Sequence, residues 1–136
     1  MSTSVLDASS LLAYLQDEAG ASAVEDAVAH GASISAANLA EALSKLAERG
    51  ADPSEVLTGL QSRGVVGGLL GVQPLTIDDA LAIAELRPAT KEHGLSLGDR
   101  ACLALGLRLG LPVVTADRAW VALESVIDGV QIQSVR

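Results

Sequence analysis

At 136 residues the chain is long enough for one full core, and no linker, repeat or low-complexity tract divides it, so residues 1–136 read as a single domain. With 9 Lys and Arg against 17 Asp and Glu, the net charge of −8 excludes a generally nucleic-acid-binding surface; any RNA site must be local, and a basic protein partner is the natural complement. Residues are 49% hydrophobic and Tyr14 and Trp120 are the only aromatics, so Leu, Val, Ile and Ala must fill the core, while the longest apolar runs fall short of the ~18 residues of a membrane span.

Along the chain, residues 3–7 predict a strand that begins almost at once, with no basic leader or cleavable apolar stretch before it. A helix over 9–16 puts Leu11, Leu12 and Leu15 on one face, and a second helix fits 20–30. A short strand at 33–35 leads into an amphipathic helix over 36–49, stopped by Gly50, with Leu39, Leu43 and Leu46 inward. Asn38, Glu41, Lys45 and Glu48 then fall on its polar face. Asp52-Pro53 opens a helix to about residue 63, and the Gly-rich stretch 64–71 has no clear pattern. A strand at 71–75 precedes a helix through 86, capped by Thr76 with Asp79 completing a capping box, and 88–95 reads as loop.

A long helix over 97–109 carries Cys102 in an apolar pattern, which predicts a buried structural thiol. A lone cysteine cannot form an internal disulfide, so a cytoplasmic protein is expected. A strand at 112–115, a short helix at 118–123 and a last strand at 130–134 complete the chain. Strands alternating with helices predict an α/β fold with a mainly parallel sheet of about five strands and helices on both faces.

The first strand ends on Asp7 and the 112–115 strand runs into Asp117. In an open parallel sheet ligands bind beyond the carboxyl ends of the strands, where the strand order reverses. Each aspartate also suits a helix N-cap. Asp99 suits a capping box with Ser96, though a carboxylate in that first turn is also stabilised by the helix dipole. Glu41 alone reads as a solvated residue able to pair with Lys45.

Together the contexts Val5-Leu-Asp7-Ala-Ser9, Ser35-Ala-Ala-Asn38-Leu-Ala-Glu41, Leu97-Gly-Asp99-Arg-Ala and Val114-Thr-Ala-Asp117-Arg occur in that order. With them the chain resembles the PIN-domain ribonucleases over nearly its whole length, and within them the toxins of VapBC-type toxin–antitoxin systems. The resemblance implies a three-layer α/β/α PIN-like domain in a bacterial or archaeal cytoplasm. It implies that Asp7, Glu41, Asp99 and Asp117 form an acidic metal site, with Ser9 and Thr115 as hydroxyl contacts and Asn38 orienting the acids. It further implies a VapB-like antitoxin partner and a homodimer.

Oxygen ligands without paired His or Cys favour Mg²⁺ or Mn²⁺. Such an ion would activate water for in-line attack on an RNA phosphodiester. Arg100 and Arg118, each beside a site acid, are candidate phosphate contacts, or else charge-balancing surface residues; His30 and His93 lack ligand spacing. A receiver domain would want neighbouring acids after the first strand and a lysine at a late strand end, but the only lysines are Lys45 and Lys91. A haloacid-dehalogenase-type phosphatase would want Asp-x-Asp where this chain has Asp7-Ala-Ser9, and Gly64 to Gly71 lacks the Gly-Lys-Ser/Thr ending of a P-loop. The remaining alternative is a PIN-like or receiver-like acidic module that binds without cutting.

Overall fold

A computed structural model describes residues 1–136. Its first half runs β1 (Ser4–Leu6), α1 (Ala8–Leu15), α2 (Ala21–Ala29), β2 (Ala32–Ser35), α3 (Ala36–Glu48), α4 (Pro53–Ser62) and β3 (Leu70–Gln73). Then come α5 (Ile77–Glu85), the one-turn α6 (Arg87–Thr90), α7 (Leu97–Leu109), β4 (Val113–Thr115) and β5 (Ile132–Ser134), with 3-10 segments at Lys91–His93 and Arg118–Ser125.

All strand pairs are parallel and the order is β3-β2-β1-β4-β5. The strands are short; β1, β2 and β4 are buried on both faces while the edge strands β3 and β5 are partly exposed, and period-two alternation divides the core in two. On one face Leu6, Ile34 and Val114 pack with Leu11, Val24, Leu39 and Leu60 of α1 to α4. On the other Val5 and Val113 pack with Ile83 of α5, Leu103 and Leu105 of α7, and Trp120. The result is the expected three-layer α/β/α arrangement. No helix is long and apolar enough to cross a membrane.

Chain order turns at β1: β2 and β3 add on one side, and the chain crosses to place β4 and β5 on the other. The reversal point therefore lies between β1 and β4, where the Asp7 amide donates to the Val114 carbonyl at 3.2 Å. Close approach of α7 to this part of the sheet depends on Gly106, where a Cβ would sit 2.7 Å from Val113 Cγ2. Near the same end α7 is tied to α5 by Arg108, whose guanidinium donates to the Asp79 carboxylate at 2.9 and 3.2 Å. Burial would raise the Asp79 pKa, but hydrogen bonds from Thr76 and Arg108 outweigh it and hold the group below its ordinary value.

Element types match the pattern reading with two exceptions. The stretch 88–95, expected as loop, contains α6 and a 3-10 turn, because Pro88 falls within the first turn of α6, where its missing N–H costs no hydrogen bond. The Gly-rich stretch folds as a tight turn bridging Val66 to Leu70, and β3 starts there. Both predicted capping boxes form, Thr76 with Asp79 and Ser96 with Asp99.

Candidate active site

Asp7 follows β1 directly and its side chain caps α1, so strand end and helix start hold it in one conformation. It is 4% exposed. Oδ1 accepts from the Ser10 amide at 2.8 Å, Oδ2 from Thr115 Oγ1 at 2.6 Å, and Ser9 Oγ lies 2.8 Å from both. Burial raises the Asp7 pKa, and the bonds from Thr115, Ser10 and Ser9 only partly counter it. Ser9 and Thr115 thus grip the carboxylate from two sides. Ser9 also laces the two strand ends together, the Ala116 amide donating to its Oγ at 3.0 Å, while the Asp117 amide donates to Thr115 Oγ1 within the same strand end at 3.1 Å.

Asn38 departs from the helical-wheel expectation. It is 1% exposed because α7 docks against that face of α3. Its Nδ2 donates at 2.8 Å to Glu41 Oε1 and at 2.8 Å to the carbonyl of Gly98, while its Oδ1 is buried without a partner. Glu41 is held by Asn38 in place of the expected pairing with Lys45, and it makes no ion pair. The carboxylate lies directly on Gly98, where a Cβ would overlap it. Gly98 is therefore a site residue that sequence reasoning passed over as a helix-start glycine.

Asp99 Oδ2 accepts from the Ser96 amide at 2.9 Å, and Asp117 Oδ1 accepts from the Ala119 amide at 3.0 Å. Both caps read from the sequence are real, yet each uses a single oxygen. Glu41, Asp99 and Asp117 all retain one oxygen with no protein partner. Capping and ligation are compatible here.

Asp99 and Asp117 line one small cavity of about 100 Å³ beneath the 3-10 segment, together with His93 and Trp120. His93 looked isolated because its relation to the acids is purely spatial. Burial first, then the negative charges of Asp7, Asp99 and Glu41, push the Cys102 thiol well above its ordinary value. The thiol is buried and free, as expected.

Arg118 is exposed and shares a cleft with Ser9 and Asp117. Arg100 is anchored by its Nη1 on the Ile83 carbonyl at 2.9 Å, with Nε buried and unpartnered, so its documented contact is with α5.

None of the four acids has a cationic neighbour within ion-pair distance; the two ion pairs present join Arg108 to Asp79 and Arg136 to Glu18. A hard divalent cation fits this donor set, since Asp7, Glu41, Asp99 and Asp117 offer carboxylate oxygens and buried Asp7 lacks a countercharge. As the side chains stand, no three acidic, histidine or cysteine groups converge as a ready-made cage.

Fold and site together define an α/β domain with a parallel sheet, a buried aspartate at its switch point, and a small cavity shared by Asp99 and Asp117. The chain belongs to the PIN domain family, whose profile matches residues 4–125. Its fold is similar to the DNA-bound VapBC from Salmonella typhimurium (18% identity, TM-score 0.71, 100% of both chains). It is also similar to FitAcB from Neisseria gonorrhoeae (20%, 0.70, 97% of both chains). A third similar structure is VapBC-5 of the VapBC family of toxin–antitoxin systems from Mycobacterium tuberculosis (23%, 0.60, 97% of this chain and 98% of that one). Among curated proteins no sequence match is found.

Proposed function

We propose that this PIN domain is a Mg²⁺- or Mn²⁺-dependent endoribonuclease acting as the toxin of a type II toxin–antitoxin pair. The observation that carries the reading is Asp7: a nearly buried carboxylate at the switch point, gripped by hydroxyls yet without a countercharge, with Glu41, Asp99 and Asp117 as the other acids. A bound ion would supply the missing positive charge, Lewis acidity and an activated water. Asp7 would be the fixed ligand. Glu41, set by Asn38 against Gly98, would contribute its partner-free oxygen, as would Asp99 and Asp117 while their other oxygens keep the helix starts capped. Ser9 and Thr115 would hold Asp7 in register as charge at the site changes.

A cognate antitoxin, a homodimer and a cytoplasmic setting belong to the same reading. Support comes from the −8 charge, which suits a basic partner, and from the similarity in fold to structures described as toxin–antitoxin complexes.

The test is cleavage of RNA by the purified chain with Mg²⁺ or Mn²⁺, followed by Asp7→Asn and Asp117→Asn. Both variants should lose cleavage while retaining a cooperative thermal transition. Full activity in either one sinks the site assignment. Expression should arrest growth, and a small protein encoded alongside should relieve it. A folded protein that binds such a partner but never cuts RNA would be an acidic binding module instead.

A further inference from the structure

Four of the chain's 9 basic residues, Lys45, Arg49, Arg118 and Arg136, line a single polar cleft of about 390 Å³, where they outnumber its two acids, Glu18 and Asp117, and Ser9 completes the polar wall. They come from α3 and its C-cap, the start of the 3-10 segment Arg118–Ser125, and residue 136 beyond β5, so only the fold assembles them. Several other cations are engaged elsewhere: Arg108 with Asp79, Arg100 with Ile83, and Arg63 with the carbonyl of Gly59 on its own helix. Within the cleft, Arg49 is steadied by the Gln16 side-chain oxygen, and Arg136 by the Ala19 carbonyl at 3.0 Å and by Glu18 at 3.8 Å. Lys45, Arg49 and Arg118 have no acidic partner. A strongly acidic protein thus concentrates its free positive charge beside one carboxylate of the proposed site.

Resting on the nuclease reading, we propose that this cleft binds the sugar–phosphate backbone of single-stranded RNA and guides it past Ser9 to the acids. Charge complementarity fits a polyanion, and the cleft is continuous with the acids through Ser9, which bonds Asp7, and through Asp117 itself. Its lining contains no aromatic residue on which a base could stack, and Trp120 is buried. The cleft therefore reads phosphates, not bases, and its binding is sequence-tolerant and strongly salt-dependent.

The experiment measures affinity of the full-length protein for a labelled single-stranded RNA across salt concentrations, without divalent ion so that nothing is cut. Four phosphate contacts predict a slope of log K on log salt of about −3, since each contact on a single strand contributes about −0.7. Lys45→Gln and Arg49→Gln should each weaken binding and make the slope shallower by about 0.7. Arg63→Gln makes the same change in net charge outside the cleft and should do neither. Thermal unfolding checks that all variants fold. An unchanged slope in both cleft variants, or an equal loss in Arg63→Gln, overturns the proposal, as does a wild-type protein that binds no RNA. A variant that keeps its RNA affinity but loses an acidic protein partner overturns it too, assigning the cleft to that partner. Cleavage is scored separately with divalent ion: cutting that persists with unaffected slopes refutes the cleft alone, and salt-dependent binding without cutting refutes the nuclease reading alone.

Discussion

The amide nitrogen of Asn38 on α3 donates to the carbonyl oxygen of Gly98 in the first turn of α7 at 2.8 Å, and the same nitrogen holds Glu41. One buried side chain thus fixes the spacing of two helices and the position of a site carboxylate. The Gly98 carbonyl belongs to the helix start that carries Asp99, so both acids depend on this bond.

Asn38→Ala should cost about 1–3 kcal/mol of stability, because the half-buried Gly98 carbonyl loses its side-chain donor. It should also lower metal affinity or cleavage roughly 10–100-fold, the usual scale for a residue that orients a ligand. Chemical denaturation and a metal titration followed by cleavage rate measure the two effects separately. A stability loss with unchanged metal response would make Asn38 purely structural.

Gly98→Ala makes the opposite kind of demand. Alanine is the better helix former by up to about 1 kcal/mol, so stability should hold or rise. The new methyl group would nevertheless overlap the Glu41 carboxylate and force it off Asn38. Cleavage should fall by roughly 10-fold or more, in line with displaced metal ligands elsewhere. Adding the substitution to Glu41→Ala should cost nothing further, since residues acting through one contact are non-additive. An additive loss would mean that Gly98 acts by some other route.

The two strand-ending aspartates were legible because local rules carry them: a short apolar run, a polar stop and a helix start place Asp7 and Asp117 at strand ends from sequence alone. Asp99 was legible as a cap for the same reason. What local pattern could not distinguish is whether a capping carboxylate has an oxygen to spare, because that depends on which neighbours reach it. Asn38 was misplaced on a solvated face, since a helical wheel counts polarity while burial depends on α7, some sixty residues later in the chain, closing over α3. Gly98 was legible only as part of the Gly-Asp helix start, with no role of its own, and His93 gave no signal. A glycine that makes room for another helix's side chain looks like any helix-start glycine. The basic cleft was hidden likewise, its members scattered from Lys45 to Arg136 in a chain whose overall charge argues against them.

Asp7 makes the stability of the metal-free protein depend on pH in a definite direction. Burial raises its folded-state pKa above the ordinary value of 3.8, so between that value and the raised one the folded state binds more protons than the unfolded state. Its contribution to stability is therefore fully present below pH 3.8 and is lost as pH rises through the folded-state value. Asp7→Asn keeps an acceptor for the Ser10 amide and carries no charge, so it should leave the metal-free protein at pH 7 as stable as the wild type or more so. The wild type should regain stability on adding Mn²⁺ at pH 7, because a ligand that binds only the folded state raises its melting temperature, the more so the further its concentration exceeds Kd. Asp7→Asn should lose most of that gain. Melting temperatures of both proteins at pH 4 and pH 7, with and without Mn²⁺, check all of these signs. If Asp7→Asn lowers the melting temperature of the metal-free protein at pH 7, the buried carboxylate is a structural anchor and not a ligand held at a cost.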